Sequence, residues 1–177
     1  MNRRVWIKQI LLASGGIVLI PACFQDEGAV SVLLKRINIT GREESLFADF
    51  VEAILPETDT PGAKSLNIHQ FVLKMFDDCY NEEEQEKLIS GLRELNNFSE
   101  DTFSDKFTDL PQNKKLEILN KISAGLSVDG TLKFFLEETK SWTIKGFTSS
   151  EYFLTKITSY ELVPARFHGC VPLKKPV

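Results

Sequence analysis

From Thr40 onward, apolar positions recur every three or four residues, and the pattern breaks at prolines, glycines and polar runs. Leu46, Phe47, Phe50, Val51, Ile54 and Leu55 form one stripe, which predicts an amphipathic helix. Thr40 and Glu43 have capping-box spacing at its start, and Pro56 ends it. PETDTPGA then reads as a rigid turn. Asn67 can cap a second helix, with Ile68, Phe71, Val72, Met75 and Phe76 on one face. Asn81 can cap a third, where Glu82, Glu83 and Glu84 suit the positive end of the helix dipole. Leu88, Leu92 and Leu95 are its expected buried side. NNFSEDTFSD reads as a polar loop. A fourth helix is expected at or near Pro111, a favoured first position for proline, with Leu116, Leu119 and Ile122 as its stripe. SAGLSVDG is a second loop. A fifth helix is expected from about Thr131 to Lys145, carrying Phe134, Phe135 and Trp142, with Gly146 closing it. Thr148 and Glu151 repeat the capping-box spacing for a sixth, which carries Tyr152, Phe153 and Ile157. The final stretch, YELVPARFHGCVPLKKPV, holds three prolines and one glycine, so it reads as extended.

Before Thr40 the pattern changes. AVSVLLKRINIT has partial alternation and β-branched residues, which suits a short strand or an extended arm. The expected class is all-α, an irregular bundle of about five to six helices with an extended C-terminal tail. The expected divisions are a signal segment over 1–22, an arm or linker over 23–40, and a helical domain over 41–177 whose tail is 160–177.

The first residues carry Arg3, Arg4 and Lys8 with no acid among them. The apolar stretch from Ile10 to Phe24 is interrupted by Gly15, Gly16 and Pro21. A bilayer-spanning helix needs roughly 20 apolar residues, and this run is shorter. Charged head, short apolar core and small-residue exit are the order of a signal peptide. RRVWIK resembles the twin-arginine export pattern, with Arg3 and Arg4 as the pair. LIPAC resembles a lipobox, which would make Cys23 the lipidated first residue of the mature chain. Acyl chains anchor strongly, because each buried methylene contributes about 0.8 kcal/mol. The expected location is the periplasmic side of a bacterial membrane, with a lipid anchor at Cys23.

Composition narrows the partners. Removing residues 1–22, which carry three cations and no acid, takes the formal charge from −4 to −7. So acidic a domain is a poor nucleic-acid binder. Thirteen phenylalanines and 42% hydrophobic residues argue against disorder. With Cys23 lipidated, Cys79 and Cys170 remain, and they could pair with each other or with a partner chain. Two thiols cannot hold an iron–sulfur cluster, which usually takes four. There is no C-x-x-C-H for covalent haem.

Catalytic constellations are sparse. G-x-S-x-G, H-E-x-x-H, P-loop and G-x-G-x-x-G motifs are all missing from the chain. His69 reads as a surface or half-buried residue. His168 with Cys170 offers two ligands, short of the four of a structural zinc site. Asp77, Asp78, Glu82, Glu83, Glu84 and Glu86 could suggest paired carboxylates, but a general acid needs burial or a close like charge, and acids at a helix start are usually solvated. Phe134, Phe135 and Trp142 read as core or interface.

Four stretches together resemble a known family: FADFVEAILPETDTPGAKSLNIHQFV, YNEEEQEKLISGLRELN, FTDLPQNKKLEIL, and FFLEETKSWTIKGFTSSE running into YELVPARFHGCVPL. The resemblance is to the small subunit, subunit 3, of gluconate 2-dehydrogenase and related membrane-bound sugar dehydrogenases. It covers Leu46 to Leu173. Its most specific parts are T-D-T-P-G-A and the terminal V-P-x-R-x-x-G-C-x-P. Ala165 departs from it, since a glycine commonly follows that proline, and Cys79 does not look like a family feature.

The resemblance implies a chain with no cofactor of its own. It would accompany a glucose–methanol–choline-type flavoprotein that holds FAD, with a cytochrome c subunit as a further possible partner. It also implies that the chain stabilises the flavoprotein and supplies the export signal for both. Arg166, Phe167 and Cys170 are the expected partner-interface or disulfide residues. Two other readings compete: a stand-alone lipoprotein binding another periplasmic partner, and a hydrolase using the acid cluster.

Overall fold

The computed structural model describes residues 30–125, 130–158, 160, 161, 163, 169 and 170. The described chain is helical: α1 (Gly41–Ile54), α2 (Ile68–Cys79), α3 (Glu82–Phe103), a 3-10 turn (Phe107–Asp109), α4 (Gln112–Ser123), α5 (Gly130–Thr148) and a π-helical turn (Phe153–Ile157). The 160–177 tail and the first 29 residues lie largely or wholly outside the described residues.

α1 begins as its sequence requires. The Thr40 side chain accepts from the Glu43 backbone N–H, and the Glu43 carboxylate accepts from the Thr40 N–H. α3 has the same reciprocal pair between Asn81 and Glu84. Each box satisfies two backbone donors that would otherwise lack partners. α2 starts at the expected place by another means. Asn67 sits at φ 52°, in the left-handed region, and makes no side-chain cap bond.

The core is aromatic. Phe47, Phe50, Phe76, Phe107 and Phe135 are fully buried. Phe50 stacks on Phe135 with ring centroids 4.8 Å apart, and Phe47 reaches Phe76 at 6.0 Å. α5 runs through the middle, against α1, α2, α3 and α4. Gly91 on α3 makes the α3–α5 approach possible, because a Cβ there would lie 2.5 Å from Phe135 Cβ.

Several expectations need correction. NNFSEDTFSD is not a loop: α3 continues through it to Phe103 and stops at Ser104, φ 59°. Its polar residues bond to the returning chain. Asn96 Oδ1 accepts from the Phe107 N–H at 3.3 Å, and buried Ser99 donates to the Asp105 carbonyl at 2.8 Å. The inward stripe of α4 is Ile118 and Ile122, with Leu119 half-buried and Leu116 44% exposed. Gly146 does not close α5, which runs on to Thr148. Gly146 is buried against Phe71 and Ile68 instead. The turn after α5 is capped by Ser150, whose Oγ accepts from the Phe153 N–H at 3.2 Å. Thr148 donates back to the Ile144 carbonyl rather than acting as a cap.

Candidate functional site

The most constructed polar site in the described chain is a clamp on the arm. Residues 30–40 form no strand. Val30, Val32 and Leu34 lean on the core, while Leu33 and Lys35 face outward. Ile37 and Ile39 are buried. Asp77 sits on the buried side of α2, one turn beyond Leu73, and takes the arm's backbone. Its carboxylate accepts from the N–H of Lys35 at 2.8 Å, Arg36 at 2.7 Å and Ile37 at 2.9 Å. Burial alone would push its pKa up. The three backbone donors, with Lys74, outweigh that and bring it down to about 2. Asp77 is therefore no member of a solvated acid run, contrary to expectation. Asp78, Glu82, Glu83 and Glu86 are exposed and Glu84 is half-buried.

A second carboxylate holds the arm's start. Buried Glu44 accepts from the Ser31 N–H at 2.7 Å and from the Ser31 hydroxyl. Gln70 donates to Ser31 Oγ at 2.9 Å, and Lys74 donates to the Leu33 carbonyl at 3.3 Å. His69 lies beside this group, half-buried, with its Nδ1 buried and unpartnered. Burial lowers its pKa, Glu44 pulls the other way, and Lys64 adds to the lowering.

The T-D-T-P-G-A turn is organised by Glu52. Its carboxylate accepts from the Glu57 N–H at 3.0 Å and the Lys64 N–H at 2.7 Å. Gly62 lies so close that a Cβ would stand 2.4 Å from a Glu52 oxygen. Glycine there leaves room for the carboxylate, and Ala63 next to it is fully buried. Beyond that turn, residues 65–68, Phe71 of α2, the C-terminal end of α5 and the residues after it line an open groove of about 670 Å³, whose lining includes Leu66, Ser149, Tyr152 and Lys156.

α2 and α5 are joined by a polar chain. The Trp142 indole N–H donates to the Tyr80 hydroxyl at 2.7 Å, and Tyr80 donates to Glu138. Burial and the Glu138 carboxylate push the Tyr80 pKa up to about 12. Lys145 lies over the Trp142 ring, 4.2 Å from its centroid.

Of the residues expected to carry function, Arg3, Arg4, Cys23, Arg166 and Phe167 lie outside the described residues, as does His168. Cys170 is an exposed free thiol in the isolated chain, as is Cys79. Exposed large apolar side chains include Ile144, Ile157, Tyr160 and Val163, all at the C-terminal end, and Leu33 on the arm. Among the described residues, no three His, Cys, Asp or Glu side chains gather to hold a metal ion, and no helix is long and apolar enough to cross a membrane.

Sequence reading missed Asp77, Glu44, Glu52 and the Tyr80–Trp142–Glu138 chain. A signal existed for two of them. Asp77 continues the Leu73 row of α2 at i+4, and Glu138 and Trp142 share one face of α5 at the same spacing. Nothing local marks Glu44 or Glu52, whose partners are backbone N–H groups of other segments.

In comparison with known proteins, the family model described as gluconate 2-dehydrogenase subunit 3 matches residues 41–165. No curated protein and no solved structure matches the chain.

Proposed function

Because the chain belongs to the gluconate 2-dehydrogenase subunit 3 family, we propose that it is the non-catalytic small subunit of a flavin-dependent sugar or polyol dehydrogenase. In this reading a glucose–methanol–choline-type flavoprotein holds the FAD and carries out the oxidation. This chain stabilises that partner and supplies the Arg3–Arg4 export signal. Cys23 then tethers the complex to the periplasmic side of the membrane, where a cytochrome c subunit can take the electrons.

The observation that carries the reading is the extent of the family match. It runs from the first residue of α1 to the start of the tail, so it takes in the whole described helical bundle. The concentration of exposed Ile144, Ile157, Tyr160 and Val163 at the C-terminal end supports a partner surface there. Arg166 and Phe167 continue that segment with residue types favoured in interface hot spots, and Cys170 is available to a partner thiol.

The test is isolation of the tagged chain from its own host. A large flavin-containing chain should accompany it at a one-to-one ratio, and dehydrogenase activity should follow that chain. Recovery of this chain alone, or with stoichiometric flavin bound to it, overturns the reading.

A further inference from the structure

We propose that the arm over residues 31–36 is a membrane-docking surface that seats the domain on an anionic bilayer. The inference rests on the tether reading of Cys23 and goes beyond it, because a tether alone fixes no orientation.

The outer face of the arm is unusual in one residue. Alternation puts Leu33 and Lys35 outward, and Leu33 is 91% exposed. A single exposed leucine needs no explanation by itself. Exposed Lys35 and Arg36 lie two and three residues on, and neither forms a salt bridge among the described residues. An apolar side chain beside cations is the chemistry that lies in a headgroup layer.

The backbone beneath it is held still. Asp77 fixes the N–H groups of Lys35 and Arg36, Lys74 holds the Leu33 carbonyl, and Glu44 holds Ser31. Docking therefore costs little ordering entropy. Lys74 itself is engaged by Asp77 and Asp78. Glu82 and Glu86 share a groove with Arg36, which leaves Lys35 as the cation least offset by acid.

The leash brings this face to the bilayer. Six residues separate Cys23 from Val30, a span of at most about 25 Å when fully extended. The surface nearest the anchor is the start of the arm, and the tether supplies a high effective concentration for a weak second contact.

The experiment uses the full lipid-bearing chain, purified from membranes and reconstituted into phosphatidylcholine vesicles with or without phosphatidylglycerol. A photoreactive benzophenone side chain is placed at Leu33, or at exposed Thr108 on the 3-10 turn as a control. The expected result is a phospholipid adduct from position 33, strongest with phosphatidylglycerol, and none from position 108. Lys35→Gln should lower the adduct-forming population about fivefold, the worth of one cation at an anionic surface, and Arg36→Gln should lower it less. An adduct to protein instead of lipid would assign the face to a partner chain and overturn the proposal. A chain that stays with the vesicles yet gives no lipid adduct overturns the docking and leaves the tether standing. A chain with unmodified Cys23 in the soluble fraction overturns both.

Discussion

Replacing Asp77 removes the acceptor of three backbone N–H groups at once, those of Lys35, Arg36 and Ile37. Hydrogen bonds to a charged group contribute about 1.5–3 kcal/mol each, less where water can substitute. Asp77→Ala should therefore destabilise the domain by about 3 kcal/mol and free the arm, which urea unfolding and proteolysis near residue 33 would register. The pH dependence follows from the lowered pKa. The carboxylate titrates at 3.8 ordinarily and at about 2 when folded. Its contribution, about 2 kcal/mol at roughly 1.4 kcal/mol per tenfold, is fully present above pH 3.8 and is lost as pH falls through about 2. The stability gap between wild type and Asp77→Asn should thus be widest near neutrality and close between pH 4 and 2; a gap that persists undiminished at pH 2 contradicts the clamp. Tyr80 has the opposite sign. Its raised pKa means that its contribution is present below pH 10 and lost as pH rises through about 12. Tyr80→Phe should cost about 1–2 kcal/mol and abolish the alkaline loss of stability assigned to that hydroxyl, with altered Trp142 fluorescence as the local reporter.

Two helix crossings depend on glycine to different degrees. Gly91→Ala gains about 1 kcal/mol of helix propensity but brings a methyl to 2.5 Å from Phe135 Cβ, an atom fixed to the α5 backbone. The helices must part, at a typical overpacking cost of about 1–3 kcal/mol or more. Gly146→Ala meets Phe71 Cδ1 at 2.9 Å, on a half-buried ring that can shift, and Ile68 Cγ2 at 3.0 Å, a milder approach than the 2.5 Å at Gly91. Gly91→Ala should lower the melting temperature by about 3–6 °C, while Gly146→Ala should change it much less. Equal losses would mean that the α2–α5 contact is as rigid as α3–α5. The same elements show how far local pattern reached. The starts of α1 and α3 were legible because caps and dipole-favouring acids are encoded within a few residues, while α2 starts at the expected Asn67 through its left-handed backbone and not through a side-chain cap. The last two turns of α3 were not, because Asn96 and Ser99 read as loop formers until the returning chain supplies their partners. The face of α4 was misread because Lys115 turns inward, its side chain 11% exposed, with its ammonium over Phe107 at 5.4 Å and 3.8 Å from Asp49. Gly146 looked like a terminator because nothing local reveals Phe71.

At the scale of the whole molecule, family membership was legible through T-D-T-P-G-A, and the structure gives that motif a reason in the Glu52–Gly62 fit. Of the arm clamp only the place of Asp77 on the buried row of α2 was legible, since the backbone partners of a carboxylate in a distant segment leave no sequence pattern of their own. What the assembled chain does for its partner is tested through location. A flavoprotein folded around FAD cannot pass unfolded through a general secretion channel and keep its cofactor, so it needs a carrier recognised by the folded-protein route. If Arg3 and Arg4 are that address, changing both to Lys should leave this chain and the dehydrogenase together in the cytoplasm, with the dehydrogenase still flavin-loaded. Cys23→Ala should act differently, allowing export while weakening membrane retention unless a cytochrome subunit anchors the complex as well. Dehydrogenase activity in cytoplasmic, soluble periplasmic and membrane fractions separates the two variants. Activity that stays at its normal place in the double-Lys strain would show that the partner does not travel on this signal, and the escort role would fall while the family assignment stood.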